Sequence, residues 1–280
     1  MTDRLRLRIS PCPNDTFMFE ALLNGRIPTQ GLAFEVGFQD IEELNEGVSS
    51  PDGPDISKIS YAVLPAVVDR YALLDSGSAL GRGNGQLLVR RRGGRSPAAV
   101  GDRSPIRRVA IPGELTTANA MLLRFFPSIV DRTPVLFSEI AAAVERGAFD
   151  AGVLIHEGRF TYERHNLELV ADLGALWERQ TGLPLPLGGI VASRELLAEV
   201  RRTFDRVLHD SIAYALEHPT VSRPFVREHA RELDDEVIDR HIALFVNRYS
   251  LALGEEGRRA VRELTGLPDL RLGWEPLHGS

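Results

Sequence analysis

The sequence predicts an α/β protein of two lobes, and three observations lead there. Over the first two thirds of the chain, short apolar runs alternate with helical patterns, which places helices on the faces of a largely parallel sheet. The strand-like runs fall into two groups, at about 1–90 and 107–190, on either side of the polar stretch Gly93-Gly94-Arg95-Ser96-Pro97. From Arg194 onward the pattern is wholly helical. The expected division is a large α/β lobe of residues 1–95 plus 195–280 and a small α/β lobe of residues 96–194. The terminal helices pack back on the large lobe, and a ligand cleft between the lobes is the default site.

The elements follow in order. Leu5 to Ile9 alternates at period two, as a half-buried strand does. Ser10-Pro11-Cys12-Pro13-Asn14-Asp15 breaks it, and Thr16 to Leu23 reads as a helix capped by Asn14 or Asp15. Leu32 to Phe38 alternates again, and Asp40 opens a short helix over Ile41 to Asn45. Asp55 to Ser57 is a short strand, followed by a helical Tyr61 to Val68. Gln86 to Arg90 and Arg107 to Ile111 are strands, the latter stopped by Pro112-Gly113. Thr116 or Thr117 caps a helix reaching about Phe126. Pro134 to Phe137 is a strand, and Ser138 to Arg146 a helix ended by Gly147. Phe149 to Ile155 is nearly all apolar, the mark of a strand buried on both faces. Leu187 to Ala192 is the last strand. Helices are expected over Arg194 to Leu216, Val221 to Ala230, Asp235 to Tyr249 and Glu255 to Leu264.

Composition narrows the function. Of the 280 residues, 43% are hydrophobic and 26% charged, which excludes disorder, collagen-like repeats and a disulfide-stapled miniprotein. The net charge of −6 argues against nucleic acid as a partner. No apolar run approaches the ~18 residues a membrane span needs. Charges interrupt the first eight residues, and the sole cysteine, Cys12, has no internal partner, so a cytoplasmic location is expected. No metal-ligand spacing, P-loop or nucleophile elbow is present, and no cofactor is expected. Gly81-Arg82-Gly83-Asn84-Gly85 precedes a strand, not a helix, and reads as a flexible connection.

Four loops follow strand ends, where ligands of α/β sheets gather: 10–16, 57–60, 113–117 and 156–161. All 33 basic residues but Lys58 are arginine, so this position stands out as one that needs a compact ammonium. Lys58 is suited to pairing with a substrate carboxylate or to stabilising a developing oxyanion; otherwise it is a surface lysine. Thr116 and Thr117 open a helix with two hydroxyls and free amides, enough to cap it and to hold an anion. Asn14 and Asp15 contact ligand or cap their helix. His156 leaves the most apolar strand of the chain, where an imidazole titrating near neutrality suits a general base. His165, His209, His218, His229, His241 and His278 read as solvated. Cys12 reads as pocket lining or as a nucleophile.

These motifs have a familiar order. Ser10 to Phe17, Lys58-Ile59-Ser60-Tyr61, Thr116-Thr117-Ala118 and His156-Glu157-Gly158-Arg159-Phe160-Thr161-Tyr162 resemble the 1,4-dihydroxy-6-naphthoate synthases of the futalosine route to menaquinone. Gly182 to Gly188 and Val246-Asn247-Arg248-Tyr249-Ser250 are similar to the same family, so the resemblance spans nearly the whole chain. It implies a two-lobed fold like the type II periplasmic binding proteins, with a ligand cleft between the lobes. It also implies a carbon–carbon lyase that converts cyclic dehypoxanthinyl futalosine to the naphthoate. On that likeness the substrate, a small aromatic carboxylate, is contacted by Lys58, Ile59, Ser60, Thr116 and Thr117, and His156 accepts the proton; Asn14 and Asp15 join the substrate-binding candidates by their own position at the helix start. Family members often carry serine where Gly158 stands. A monomer or homodimer is expected, with neither nucleic-acid nor membrane partners. The alternatives are a non-catalytic carboxylate-binding protein of the same fold and the related chorismate dehydratase.

Overall fold

The computed structural model describes residues 4–93, 106–230, 234–270 and 272–273. Contacts divide the chain into one unit of Met1–Gly81 with Pro186–Ser280 and a second of Arg82–Leu185. The expected divisions fell after residues 95 and 194. The first lies outside the described residues, as do positions 94–97 of the expected linker.

The first unit begins with β1 (Leu5–Ile9), α1 (Pro13–Leu23), β2 (Phe34–Phe38), α2 (Ile41–Ser49), β3 (Ile56–Ser60), α3 (Leu64–Val67), β4 (Tyr71–Leu73) and β5 (Ala79–Gly81). The second holds β6 (Leu87–Arg91), β7 (Arg108–Ile111), α4 (Thr117–Phe125), β8 (Asp131–Pro134), α5 (Phe137–Glu145), β9 (Ala151–Leu154), α6 (Gly158–Thr161), β10 (Leu167–Asp172) and α7 (Leu173–Thr181). The chain returns through β11 (Leu185–Ser193), then α8 (Ala198–Glu217), α9 (Pro219–His229), α10 (Asp235–Phe245), α11 (Arg248–Leu251) and α12 (Gly254–Thr265). Among the described residues no helix is long and apolar enough to cross a membrane.

The sheets are mixed rather than largely parallel. The first unit's sheet runs β2-β1-β3-β11-β4, with β5 on β11; the second's runs β10-β6-β9-β7-β8. β1 is parallel to β2 and β3, and β7 to β8 and β9. β11 is antiparallel to β3 and β4, and β6 to β9 and β10. These two strands are the ones entered as the chain passes from one unit to the other. No crossover helix on their own sheet precedes them, so nothing imposes the parallel direction.

In the first unit Leu7, Ile9, Ile56 and Ile190 of the sheet meet Phe17, Met18 and Phe19 of α1 and Phe204, Leu208 and Ile212 of α8. α1 is buried from Pro13 to Leu22 because α8, α9 and α10 all pack on it. The helix starts at Pro13 with Cys12 as N-cap, three residues earlier than expected, and neither Asn14 nor Asp15 caps it. Proline suits the first helical position, where its missing N–H has no intrahelical role. The second unit's core joins Leu87, Val89, Ala110 and Leu154 to Ile140 and Val144 of α5. The strand expected over Pro134–Phe137 lies earlier, as β8, and the unassigned stretch before Leu187 contains β10 and α7.

Candidate functional site

Ser10 after β1, the first turn of α1, β3 and α10 build a buried polar cluster in the first unit. Lys58 is 5% exposed, and its Nζ lies 2.9 Å from Oδ1 of the fully buried Asp15. The same oxygen accepts from Asn14 Nδ2 at 2.8 Å, and Oδ2 accepts from the Ser10 hydroxyl at 2.8 Å and the Ser10 amide at 3.3 Å. The surface-lysine alternative is therefore set aside. Gly188, opposite Ser60 in the ladder, leaves the room: a Cβ there would stand 3.2 Å from Lys58 Cε and 2.5 Å from the Ile59 carbonyl oxygen. By strand alternation Ile59 faces away from Lys58 and Ser60. Ser60 is fixed to α2, its amide donating to Asn45 Oδ1 at 2.8 Å and its hydroxyl accepting from Asn45 Nδ2 at 3.1 Å.

His241 corrects the sequence reading. It is fully buried on α10, not solvated, and its Nε2 lies 3.0 Å from Asn14 Oδ1. The signal was present: Val237, Ile238, His241 and Phe245 share the buried face of this helix at helical spacing. What local pattern could not show was the polar partner, 227 residues away in sequence.

In the second unit Thr116 and Thr117 are buried at the start of α4. The Thr116 hydroxyl donates to the Gly113 carbonyl at 2.8 Å and accepts from the Asn119 amide at 3.2 Å, so it does cap the helix.

His156 follows the fully buried β9 and is itself half-buried. Its φ is +50°, in the left-handed region that a non-glycine residue enters only at a cost. The ring meets Phe137 edge-to-face, centroids 5.3 Å apart. The next turn is α6, where a Cβ on Gly158 would sit 3.2 Å from Leu154 Cβ, closer than an ordinary contact. Arg159, which lies in the His156–Tyr162 motif with no role expected of it, donates from Nη1 to the Gly85 carbonyl at 2.6 Å and from Nη2 to Asp172 at 2.7 Å. The Val246–Ser250 motif proves to be a fastening: Asn247 Nδ2 reaches the Leu80 carbonyl at 2.9 Å, and Ser250 Oγ the Ser78 carbonyl at 2.8 Å. Among the described residues no three His, Cys, Asp or Glu side chains are grouped as a metal ion requires.

Comparison with known proteins places this arrangement. A family model described as menaquinone biosynthesis matches residues 5–268. A Thermus thermophilus protein named 1,4-dihydroxy-6-naphthoate synthase is 46% identical over 262 residues, 94% of this chain and 93% of that one. A Streptomyces coelicolor protein of the same name is 44% identical over 268 residues, 94% of this chain and 92% of that one. A crystal structure of an Archaeoglobus fulgidus protein superposes with a TM-score of 0.84 at 33% identity, covering 93% of this chain and 95% of the other. A Candida albicans protein described as having the generic periplasmic binding protein fold matches at TM-score 0.69 and 12% identity, covering 95% of this chain and 92% of the other. At that identity the likeness speaks for the fold, which is periplasmic-binding-protein-like.

Proposed function

We propose a reaction for this chain on one premise: it belongs to the menaquinone biosynthesis family. The reaction is that of a cytoplasmic carbon–carbon lyase converting cyclic dehypoxanthinyl futalosine to 1,4-dihydroxy-6-naphthoate. The observation that carries this reading is 46% and 44% identity, over 94% of the chain in each case, to two relatives that bear the synthase name.

The substrate joins a sugar to a cyclohexenone ring through a spiro carbon and carries a benzoate. Removal of a proton beside a carbonyl gives an enolate; carbon–carbon cleavage then releases the sugar fragment and leaves the aromatic diol. Aromatisation supplies the driving force, so the chemistry needs base, orientation and a partner for the developing oxyanion.

His156 is the base. Its ring stands at the end of a rigid strand, and its left-handed backbone suits a residue held for function rather than for packing. General-base catalysis of this kind contributes roughly 10²–10⁴-fold. Thr117 and the first amides of α4 supply donors for the substrate carboxylate, while Thr116, its hydroxyl given to the Gly113 carbonyl, shapes the helix start that presents them. Lys58 serves an oxygen of the reacting ring better than a carboxylate. Its charge is already matched by Asp15, so it offers N–H donors in a buried setting rather than net charge.

The test is direct. The purified protein, given the cyclic futalosine derivative, should produce the naphthoate, followed by absorbance and chromatography. His156→Gln should fold, retain substrate affinity and lose about two to four orders of magnitude in kcat. A His156→Gln variant with near-normal kcat would remove the base assignment. Substrate binding without product in the native protein would leave a binding protein of the same fold.

A further inference from the structure

We infer that His241 is a positioning residue for this reaction: through Asn14 and Asp15 it fixes the ammonium of Lys58. The inference rests on the reading above in one respect, that Lys58 serves the substrate.

Three elements and a loop bring the groups together. His241 comes from α10, Asn14 and Asp15 from the first turn of α1, Lys58 from β3, and Ser10 from the end of β1. Each bond has a direction that the chemistry of the donors sets. Asn14 spends its NH₂ on Asp15 Oδ1 at 2.8 Å, so its own Oδ1 is the acceptor that faces His241 at 3.0 Å. The Nε2 of His241 therefore carries a hydrogen and donates it. Asp15 in turn accepts Asn14 and Lys58 on one oxygen and the Ser10 amide and hydroxyl on the other. A carboxylate held by that many donors cannot rotate, and the ammonium paired with it takes one place. Among the described residues Lys58 Nζ makes a single hydrogen bond, to Asp15, out of the three an ammonium can donate. The fixed member of the cluster thus keeps donors to spare.

Stability alone does not explain the cluster. A buried ion pair with a polar tail is seldom better than apolar side chains of the same volume, because the desolvation cost absorbs the Coulomb gain. The surroundings of His241 are already apolar: Phe245 lies against its ring at 4.6 Å, and Val237 and Ile238 share its face. A leucine would suit that place. What the imidazole adds is a hydrogen-bond donor aimed at Asn14.

The chain contains a single lysine, which makes the experiment specific. Protein grown with ¹³C-lysine gives one ε-methylene resonance, reporting the surroundings of Lys58 whether or not substrate turns over. His241→Leu keeps the bulk and removes the donor, whereas His241→Gln keeps an N–H near the Nε2 position. The leucine variant should shift and broaden the Lys58 signal and lower kcat roughly tenfold or more, with KM little changed. The glutamine variant should bring both back towards the native values. In a Lys58→Met background, His241→Leu should lower kcat no further. An unmoved lysine signal in the folded leucine variant overturns the inference, as does an equal loss of kcat in the leucine and glutamine variants. If His241→Leu does not fold, His241→Met takes its place; if only the glutamine variant folds, the role is structural and the inference falls. A native protein that makes no naphthoate overturns the reaction instead, and the lysine signal still decides the positioning.

Discussion

Arg159 and Asp172 form a clamp behind the proposed base. One guanidinium nitrogen reaches the Asp172 carboxylate at 2.7 Å, and the other reaches the Gly85 carbonyl at 2.6 Å. The second Asp172 oxygen caps α7, accepting from the Ala175 amide at 2.9 Å. The turn that follows His156 is thereby tied to the end of β10 and to the approach to β6. Arg159→Lys retains the charge but loses the planar fork that spans both acceptors. The pair is partly exposed, so the stability cost is about 1 kcal/mol, or a few degrees in Tm. The larger effect is expected in turnover, with kcat down about tenfold as the loop loosens. Thermal melts and steady-state kinetics on the purified variant check this, and an unchanged kcat would show that the loop keeps its shape without the clamp.

Gly85, the acceptor of that clamp, passes Gly174 at backbone contact. A Cβ on Gly85 would lie 2.2 Å from Gly174 Cα, and one on Gly174 would lie 2.6 Å from Gly85 Cα. The end of the glycine-rich stretch, expected as a flexible connection, is thus close-packed at Gly85 against the first turn of α7, while Arg82 and Gly83 stay exposed. Both obstacles are main chain, so neither can swing aside. Gly85→Ala and Gly174→Ala should each cost about 2–3 kcal/mol, at the upper end of overpacking. Denaturant melts would show it, and a loss below ~0.5 kcal/mol would mean that the two segments can part freely.

Local pattern revealed much of this molecule and hid the rest for identifiable reasons. The alternation of Leu5–Ile9 and the apolar run into His156 were legible because each is a property of neighbours in sequence. β10 escaped because its register shifts between Leu169 and Ala171, which breaks the period of two. β8 was expected three residues too late because it is a polar strand at the sheet edge, with no apolar face to betray its start. The mixed sheets depend on where the chain passes between units, which no local signal encodes. The same division holds for the candidate site. Lys58 was singled out by composition, yet its ties to Asp15 and, through Asn14, to His241 join segments 43 and 227 residues apart.

Asp205 gives the first unit a pH-dependent stability. It accepts the amides of Asp75 and Ser76 at 2.9 Å each. Burial nevertheless outweighs those bonds and, with the Asp75 charge adding repulsion, pushes its carboxyl from 3.8 up to about 6. Below about pH 4 the group is protonated in both folded and unfolded chains and makes no difference. Between about 4 and 6 the folded state holds a proton that the unfolded state has released, so stability falls as pH rises; above 6 the cost levels off. A carboxyl raised that far bounds the cost at about 3 kcal/mol. Asp205→Asn keeps an acceptor for both amides without the charge. Its Tm should match the native value near pH 4 and exceed it by a margin that grows to a plateau above about pH 6.5. A margin that does not grow with pH would contradict the assignment.

The left-handed backbone at His156 separates strain from chemistry. At a φ of +50° a side chain costs roughly 1–2 kcal/mol, least for asparagine, which visits that region, and most for a β-branched residue. Replacing His156 also forfeits the edge-to-face contact with Phe137, worth about 0.5–1.5 kcal/mol in any variant. That loss is common to His156→Asn and His156→Val, so their difference isolates the backbone. Asparagine should melt a few degrees above valine, although valine is the better buried residue elsewhere, and both should lose turnover alike. Equal melting temperatures would mean that position 156 relaxes out of the left-handed region. The fixed aim of the imidazole would then have to come from its ring contacts.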